Sequence, residues 1–417
     1  MTGRLEVNPR GFGFISPERS PDGLSGDIYV AAGDMNAAVQ GDRVVARLQD
    51  RDGTGRARGI VLRIVERSVS RIVGRFALSA SGRAFVTPFD RRFTADIAIE
   101  GPVETDVKHG EMVEVELKQL RALQESPTGK VVEVLGNEDA AGVDTTIVLR
   151  MHGISEEMDS NAMEEAFRLG SEVKEEDFEG RSDFRTLDTL TIDGDDARDF
   201  DDAISLGRTP SGNNWLGVHI ADVAHYVAEL GPLDRMAYER GTSVYFPDRA
   251  VHMFPAGLAT GLCSLKPNQD RLVQTCFMDI DDGGNVVRFE FHDGVIHSDA
   301  RMTYQDVNSI LNDRDTEVLT RHLRFVPMLK RMEELFRTLH GRRHRRGAIE
   351  FELPQAEFRM NESGGIDAIT PSVRNTAHRI VEEFMLAANE TVASYLENRK
   401  APGLFRNHAR PELLSVS

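Results

Sequence analysis

Between Leu190 and Ile204 the chain reads LTIDGDDARDFDDAI, with six aspartates in ten residues: Asp193, Asp195, Asp196, Asp199, Asp201 and Asp202. Leu190, Thr191 and Ile192 before the run, and Ala203 and Ile204 after it, are residues that seek a core. The ends of this stretch therefore belong inside a fold while its middle carries charges that repel one another. Crowded carboxylates must be neutralised by protonation, by basic side chains or by metal. A hard divalent cation answers that need, and Mg²⁺ is usually held by a few carboxylates together with water and substrate phosphate. An acidic surface loop is the plain alternative for runs of this kind; the apolar flanks and the interposed Phe200 argue against it. A calcium loop of the EF-hand type fails, because its sixth position requires Gly and its twelfth Glu. Counted from Asp193, those positions are Arg198 and Ile204.

The phrase TIDGDDARDFDDAI resembles the signature of the ribonuclease II / ribonuclease R family, the RNB exoribonucleases. HIADVAHYV, RGTSVYFPDR, GLCSLKP and LFRNH resemble further phrases of the same family. The resemblance implies metal-site roles for Asp193, Asp199, Asp201 and Asp202, and none for Asp195 or Asp196. It implies that Tyr245 packs against the bases at the RNA 3′ end and that Phe351 is a second aromatic clamp. Tyr304 matches a position contacting the RNA end, and Glu383 one near the terminal nucleotide. Read from the residues alone, Tyr245 and Phe351 serve equally as core, Tyr304 as a half-buried tyrosine at a helix start, and Glu383 as a helix-surface acid.

With 417 residues the chain has room for two or three domains. No apolar run approaches the ~18 residues of a membrane span, and MTGRLEVNPRGFGF carries no secretory core. The two cysteines, Cys263 and Cys276, sit in apolar surroundings and read as buried thiols, which suits a reducing cytoplasm. The net charge of −18 argues on its face against nucleic acid, but it is unevenly spread. Residues 155–202 hold 18 acids and 5 bases, whereas residues 1–90 hold 13 Arg and 10 acids. Charge at the site, not the total, governs phosphate binding.

Residues 1–65 alternate short apolar runs with Gly- and Asp-rich turns, the pattern of a small antiparallel barrel. GFGFI places Phe12 and Phe14 on one strand face, and DIYV adds Tyr29. These rings are either core or an exposed platform on which bases stack. The pair GFGFI and DIYV resembles a cold-shock domain, which implies RNA contact. Residues 68–137 repeat the order of elements and read as a second OB-like barrel, and residues 138–186 as an acidic, mostly helical connector.

From 187 to 417 the expectation is the N-terminal part of an α/β RNB catalytic domain. Trp215–Val223 reads as a buried strand with His219 as a satisfied structural group. Gly284–Phe291 and Gly294–Ser298 read as neighbouring strands, and Pro327 as the start of a helix running to about His340. The basic run Gly341–Arg346 is expected to follow it, then a strand from Gly347 to Phe351, then an amphipathic helix from Thr376 to Asn398. The resemblance further leads one to expect an arginine-bearing motif and another OB-type barrel, neither of which precedes Ser417. On that basis the chain is expected to be nearly inactive by itself. The reading is of two N-terminal OB-type, cold-shock-like barrels followed by an incomplete α/β RNB domain. The implied activity is 3′→5′ hydrolysis of single-stranded RNA to nucleoside 5′-monophosphates with Mg²⁺, or Mn²⁺, in the cytoplasm and away from membrane. The rival is a non-catalytic RNA-binding protein with an RNB remnant; a DNA-directed nuclease is disfavoured by the resemblance.

Overall fold

The computed structural model describes residues 1–19, 26–49, 57–101, 106–118, 127–312, 315–349, 355–361, 364–372 and 374–407. The chain forms two units: Met1–Glu157 with Phe246–Arg249 and Phe358–Ala368, and the remainder.

In the first unit, β1 (Thr2–Val7), β2 (Gly13–Pro17), β3 (Ile28–Val30), β4 (Arg43–Gln49) and β5 (Arg58–Glu66) close a barrel in the order β1-β2-β3-β5-β4. Strands β6 (Arg71–Leu78), β7 (Ala84–Pro88), β8 (Ile97–Ile99), β9 (Met112–Leu117) and β10 (Thr128–Gly136) close a second barrel in the corresponding order. Both are sealed by a parallel pairing, β3 with β5 and β8 with β10. The period of two decides what lies inside: Leu5, Ile15, Ile28, Val44, Ala46 and Val61 fill the first core, and Ile72, Phe76, Val86, Val113 and Val115 the second. A Cβ at Gly74 would stand 2.4 Å from the Thr87 carbonyl oxygen, so β6 and β7 approach as only glycine allows. Helix α1 (Val143–Met151) belongs to this unit. Its Ile147 packs with Val73 and Met112, and Arg150 pairs with Glu133 at 3.0 Å.

The second unit begins with α2 (Ser160–Leu169), whose N-terminus is capped by Asp159. Strands β11 (Ser182–Asp183), β12 (Thr189–Asp193), β13 (Asp202–Arg208) and β14 (Asn214–Ala221) lead to helices α3 (Val223–Tyr226) and α4 (Pro232–Arg240). A short hairpin, β15 (Val244–Tyr245) and β16 (Ala250–Val251), precedes the long strands β17 (Asp270–Ile280) and β18 (Val286–His297) and the short β19 (Ala300–Thr303). Seven of these strands form one sheet in the order β11-β18-β17-β14-β13-β12-β19. Helices α5 (Tyr304–Leu311), α6 (Thr316–Arg321), α7 (Val326–Arg345) and α8 (Thr376–Asn398) follow, with the hairpin β20 (Gln355–Met360) and β21 (Ile366–Ser372) between the last two.

Alternation along β13 sends Ile204 and Leu206 into the core shared with Val307, Leu329, Met332 and Phe384, and Ala203 into another core with Leu233, Met236, Leu258 and Leu262. The sheet is thus covered by two apolar layers, as an α/β domain requires. Both cysteines are buried and unbridged. Between the strands runs a buried polar chain: Thr189 Oγ1 to Ser205 Oγ at 2.8 Å, Ser205 Oγ to His219 Nε2 at 3.0 Å, and His219 Nδ1 to Thr275 Oγ1 at 2.9 Å. Burial drives the His219 pKa down to about 3, so the ring is a neutral structural group.

Three expectations are corrected. Gly284–Phe291 and Gly294–Ser298 are not two strands, because β18 runs unbroken through Gly294, where a Cβ would stand 2.7 Å from the Phe184 ring. Helix α7 does not stop near His340. It continues through Arg345, so the basic run forms its last turns, where cations favour the helix C-terminus. Gly347–Ile349 are not a strand, and Glu350 and Phe351 lie outside the described residues. Among the described residues, no helix is long and apolar enough to cross a membrane.

Candidate active site

Strand β12 ends at Asp193 and its antiparallel neighbour β13 begins at Asp202, with Leu190 paired to Ile204. The loop between them therefore leaves and re-enters the sheet at one end, bringing the first and last aspartates together. On the other side of β12, parallel β19 sets Thr303 beside Asp193 and leads directly into Tyr304.

Phe200, the apolar residue inside the acidic run, is 7% exposed and anchors the loop. Its amide donates to Ser264 Oγ at 3.0 Å, its carbonyl accepts from Leu265 at 2.9 Å, and Ser264 Oγ donates to the Arg198 carbonyl at 2.8 Å. Arg301 donates from Nη2 to the carbonyls of Gly194 and Asp195 at 2.5 and 2.7 Å, with its guanidinium 5.7 Å from the Phe200 ring centre. Buried Arg271 fixes the Ser264 segment in turn, donating to the carbonyls of Ser264 at 2.8 Å, Asp270 at 2.9 Å and Gly261 at 3.1 Å. Neither Arg271 nor Ser264 was singled out by sequence reasoning: each acts on backbone groups, which leave no local signature.

The acids bear the electrostatic cost. Burial, then the charges of Asp202, Asp201 and Asp199, push the Asp193 pKa up to about 7, against a lowering influence of Arg301. Asp202 rises to about 6 by burial and Asp201. Asp201 is raised by desolvation and then by Asp199, although its residue surface is open to solvent. Asp193 Oδ2 is buried without a hydrogen-bond partner. Clustered, desolvated carboxylates with an orphaned oxygen fit a hard cation. Among the described residues, however, no three His, Cys, Asp or Glu side chains are already gathered as a metal-holding group. Asp195 and Asp196 are exposed and line a cavity of about 550 Å³ with Tyr304, Asn308, Asn375 and His378.

Tyr245 is 63% exposed, which rules out the core reading, and its hydroxyl donates to Asp199 Oδ2 at 2.5 Å. Tyr304 is partly buried, stacks on His378 at 3.8 Å, and has its pKa raised to about 12 by burial and by Asp193 and Asp202. Glu383 is not a helix-surface acid. It is 5% exposed and holds Arg343 Nη2 at 2.6 Å and His340 Nδ1 at 3.1 Å, which ties α8 to α7. In the first unit, Phe12, Phe14 and Tyr29 are half-buried outside the barrel core, their ring centres 5.7 to 6.0 Å apart, with Arg58 over Tyr29 at 5.8 Å.

Two closed OB-type barrels ahead of an α/β sheet in which β12 and β13, towards one edge, carry clustered acids at their facing ends define a multidomain class of chain. The RNB domain profile matches residues 181–416, the Ribonuclease B OB domain profile residues 3–64, and the Cold shock domain profile residues 85–158. The chain belongs to the RNB family. Ribonuclease R of Vibrio parahaemolyticus is 39% identical over 96% of this chain and 48% of its own length. The chain thus spans about half the length of the curated relatives it matches. Mycoplasma genitalium RNase R, solved in complex with ribose methylated single-stranded RNA, is similar with a TM-score of 0.89 and 26% identity, over 100% of this chain and 65% of that one. Yeast Ssd1, described as a pseudonuclease, shares the fold with a TM-score of 0.67 and 18% identity, over 96% of this chain and 55% of that one.

Proposed function

We propose that the chain carries the acid site and RNA-entry surfaces of a 3′→5′ exoribonuclease that hydrolyses single-stranded RNA to nucleoside 5′-monophosphates. The observation that carries this reading is the placement of Asp193, Asp201 and Asp202, all with raised carboxyl pKa values, at the facing ends of β12 and β13. With Asp199 they would hold one or two Mg²⁺ ions, or Mn²⁺. A divalent ion at such a site supplies water activation and charge stabilisation on the phosphate. The chain's own residues supply the rest. Arg301 and Phe200 keep the loop in place, exposed Tyr245 packs against a base, and Tyr304 borders the site beside the strand that carries Asp193. Phe351 is the proposed second clamp. Glu383, engaged with Arg343 and His340, would reach the terminal nucleotide only by exchanging those partners. The rings of Phe12, Phe14 and Tyr29 offer base-stacking surface, worth about 1–3 kcal/mol per base.

The second reading, RNA binding without catalysis, is favoured by one observation: a pseudonuclease shares this fold. Degradation of labelled single-stranded RNA by the chain with Mg²⁺, beside Asp201→Asn, separates the two. Metal-dependent release of mononucleotides that is lost in Asp201→Asn supports the nuclease. RNA binding with no metal-dependent cleavage supports the rival.

A further inference from the structure

Asp199 differs from the other three acids because one of its oxygens is already taken. Tyr245 Oη donates to Asp199 Oδ2 at 2.5 Å from a ring that otherwise faces solvent. The same oxygen lies 3.7 Å from His252 Nδ1, and that nitrogen is buried with no hydrogen-bond partner. The geometry follows from the β15–β16 hairpin. Tyr245 pairs with Ala250, and His252 follows two residues later with its ring edge-on to Tyr245 at 6.2 Å. The Arg240 guanidinium donates to the His252 carbonyl at 3.2 Å and fixes the backbone there. Two polar groups, the hydroxyl of exposed Tyr245 and the buried, unpartnered Nδ1 of His252, therefore address one carboxylate.

A hydroxyl on Oδ2 blocks a lone pair that a cation would use. We propose that Tyr245 is a latch on Asp199, released when its ring moves onto the terminal base of an RNA 3′ end, and that His252 is the positioning residue that then holds the freed carboxylate. The inference rests on the proposed roles of Tyr245 and the aspartates. Metal-ligating carboxylates are themselves hydrogen-bonded from outside, and His252 Nδ1–H is the donor in reach. RNA entry and completion of the cation site would thereby be coupled: the ligand set stays open until substrate arrives.

The test uses the full chain and reads Mn²⁺ affinity by electron paramagnetic resonance, with and without a ribose-methylated single-stranded RNA. RNA affinity is read separately by fluorescence titration in EDTA. Without RNA, Tyr245→Phe should bind Mn²⁺ about tenfold more tightly than wild type, the scale of one hydrogen bond to a charged group. RNA should tighten Mn²⁺ binding by wild type and add little to Tyr245→Phe. His252→Leu should lose the RNA-induced gain, and His252→Asn, which keeps a donor, should retain it. Equal Mn²⁺ affinities for wild type and Tyr245→Phe, with RNA binding intact, overturn the latch and leave the proposed function standing. A wild-type gain preserved in His252→Leu overturns the role of His252. No Mn²⁺ binding by any form, with or without RNA, overturns both the latch and the metal site beneath it.

Discussion

The aromatic face of the first barrel and the aspartate loop of the sheet both offer functional groups, but the costs of presenting them differ. Phe12, Phe14 and Tyr29 touch one another across neighbouring strands, outside the packed core, and bury no charge. The loop holds carboxyls whose pKa values rise to about 6 and 7 and an orphaned Asp193 oxygen, pinned by Ser264, Arg271 and Arg301. A stacking surface comes almost free with a barrel, since alternation leaves one face of each strand outside. A charge-dense site exists only because the surrounding structure over-determines it.

The difference can be broken most forcefully at Arg271. Arg271→Met removes a charged donor from the carbonyls of Gly261, Ser264 and Asp270, and a hydrogen bond to a charged group is worth about 1.5–3 kcal/mol. Chemical denaturation should show a loss of about 3 kcal/mol or more. If stability is unchanged, the loop does not depend on this support and the contrast fails.

On the barrel, Phe12→Ala/Phe14→Ala should weaken single-stranded RNA binding by about 2–3 kcal/mol in a fluorescence titration, on the scale of one or two stacked bases. Its effect on the denaturation midpoint should be much smaller than that of Arg271→Met. Undiminished RNA affinity would remove the platform.

The smallest effect sharpens the comparison by its sign. The Asp193 carboxyl has a folded pKa of about 7, above the ordinary aspartate value of 3.8. The proton therefore binds the folded form more tightly. Stability associated with this group is complete below pH ~4 and is lost as pH rises through 7. Asp193→Asn, which does not titrate, should stabilise the metal-free protein by about 1–2 kcal/mol at pH 7.5, the linkage value of about 4 kcal/mol being reduced by solvent screening of a half-buried group, and by almost nothing at pH 4, as read by thermal unfolding in EDTA. Destabilisation at pH 7.5 would mean that the carboxylate is already compensated within the fold.

The barrels were the most legible part of the chain, because strand period and turn chemistry are local. The order of short strands in residues 1–65 returns in 68–137, and both close with the same topology. The acid run was equally plain, since apolar flanks around repelling charges show in the sequence itself. The two strands expected around Gly294 could not be recognised as one by local signals, because the glycine is read as a break until the Phe184 ring is known to need its space. Gly341 hid the length of α7 in the same way. The helix continues past it with Arg343 paired to Glu383 and Arg346 to Glu390, partners 40 and 44 residues along the chain.

What the sequence by itself determined was the barrel architecture, the sheet with its covering helices, and the presence of an acid run between two core-seeking segments. These follow from side-chain period and composition within a few residues. The tertiary structure alone decided which acids are pushed towards neutrality, that Phe200 is an anchor held from Ser264, that Glu383 is buried, and that Tyr245 and His252 converge on Asp199 from 46 and 53 positions away. Desolvation and hydrogen-bond geometry depend on atoms brought together by folding, and no stretch of the chain contains them before the sheet forms.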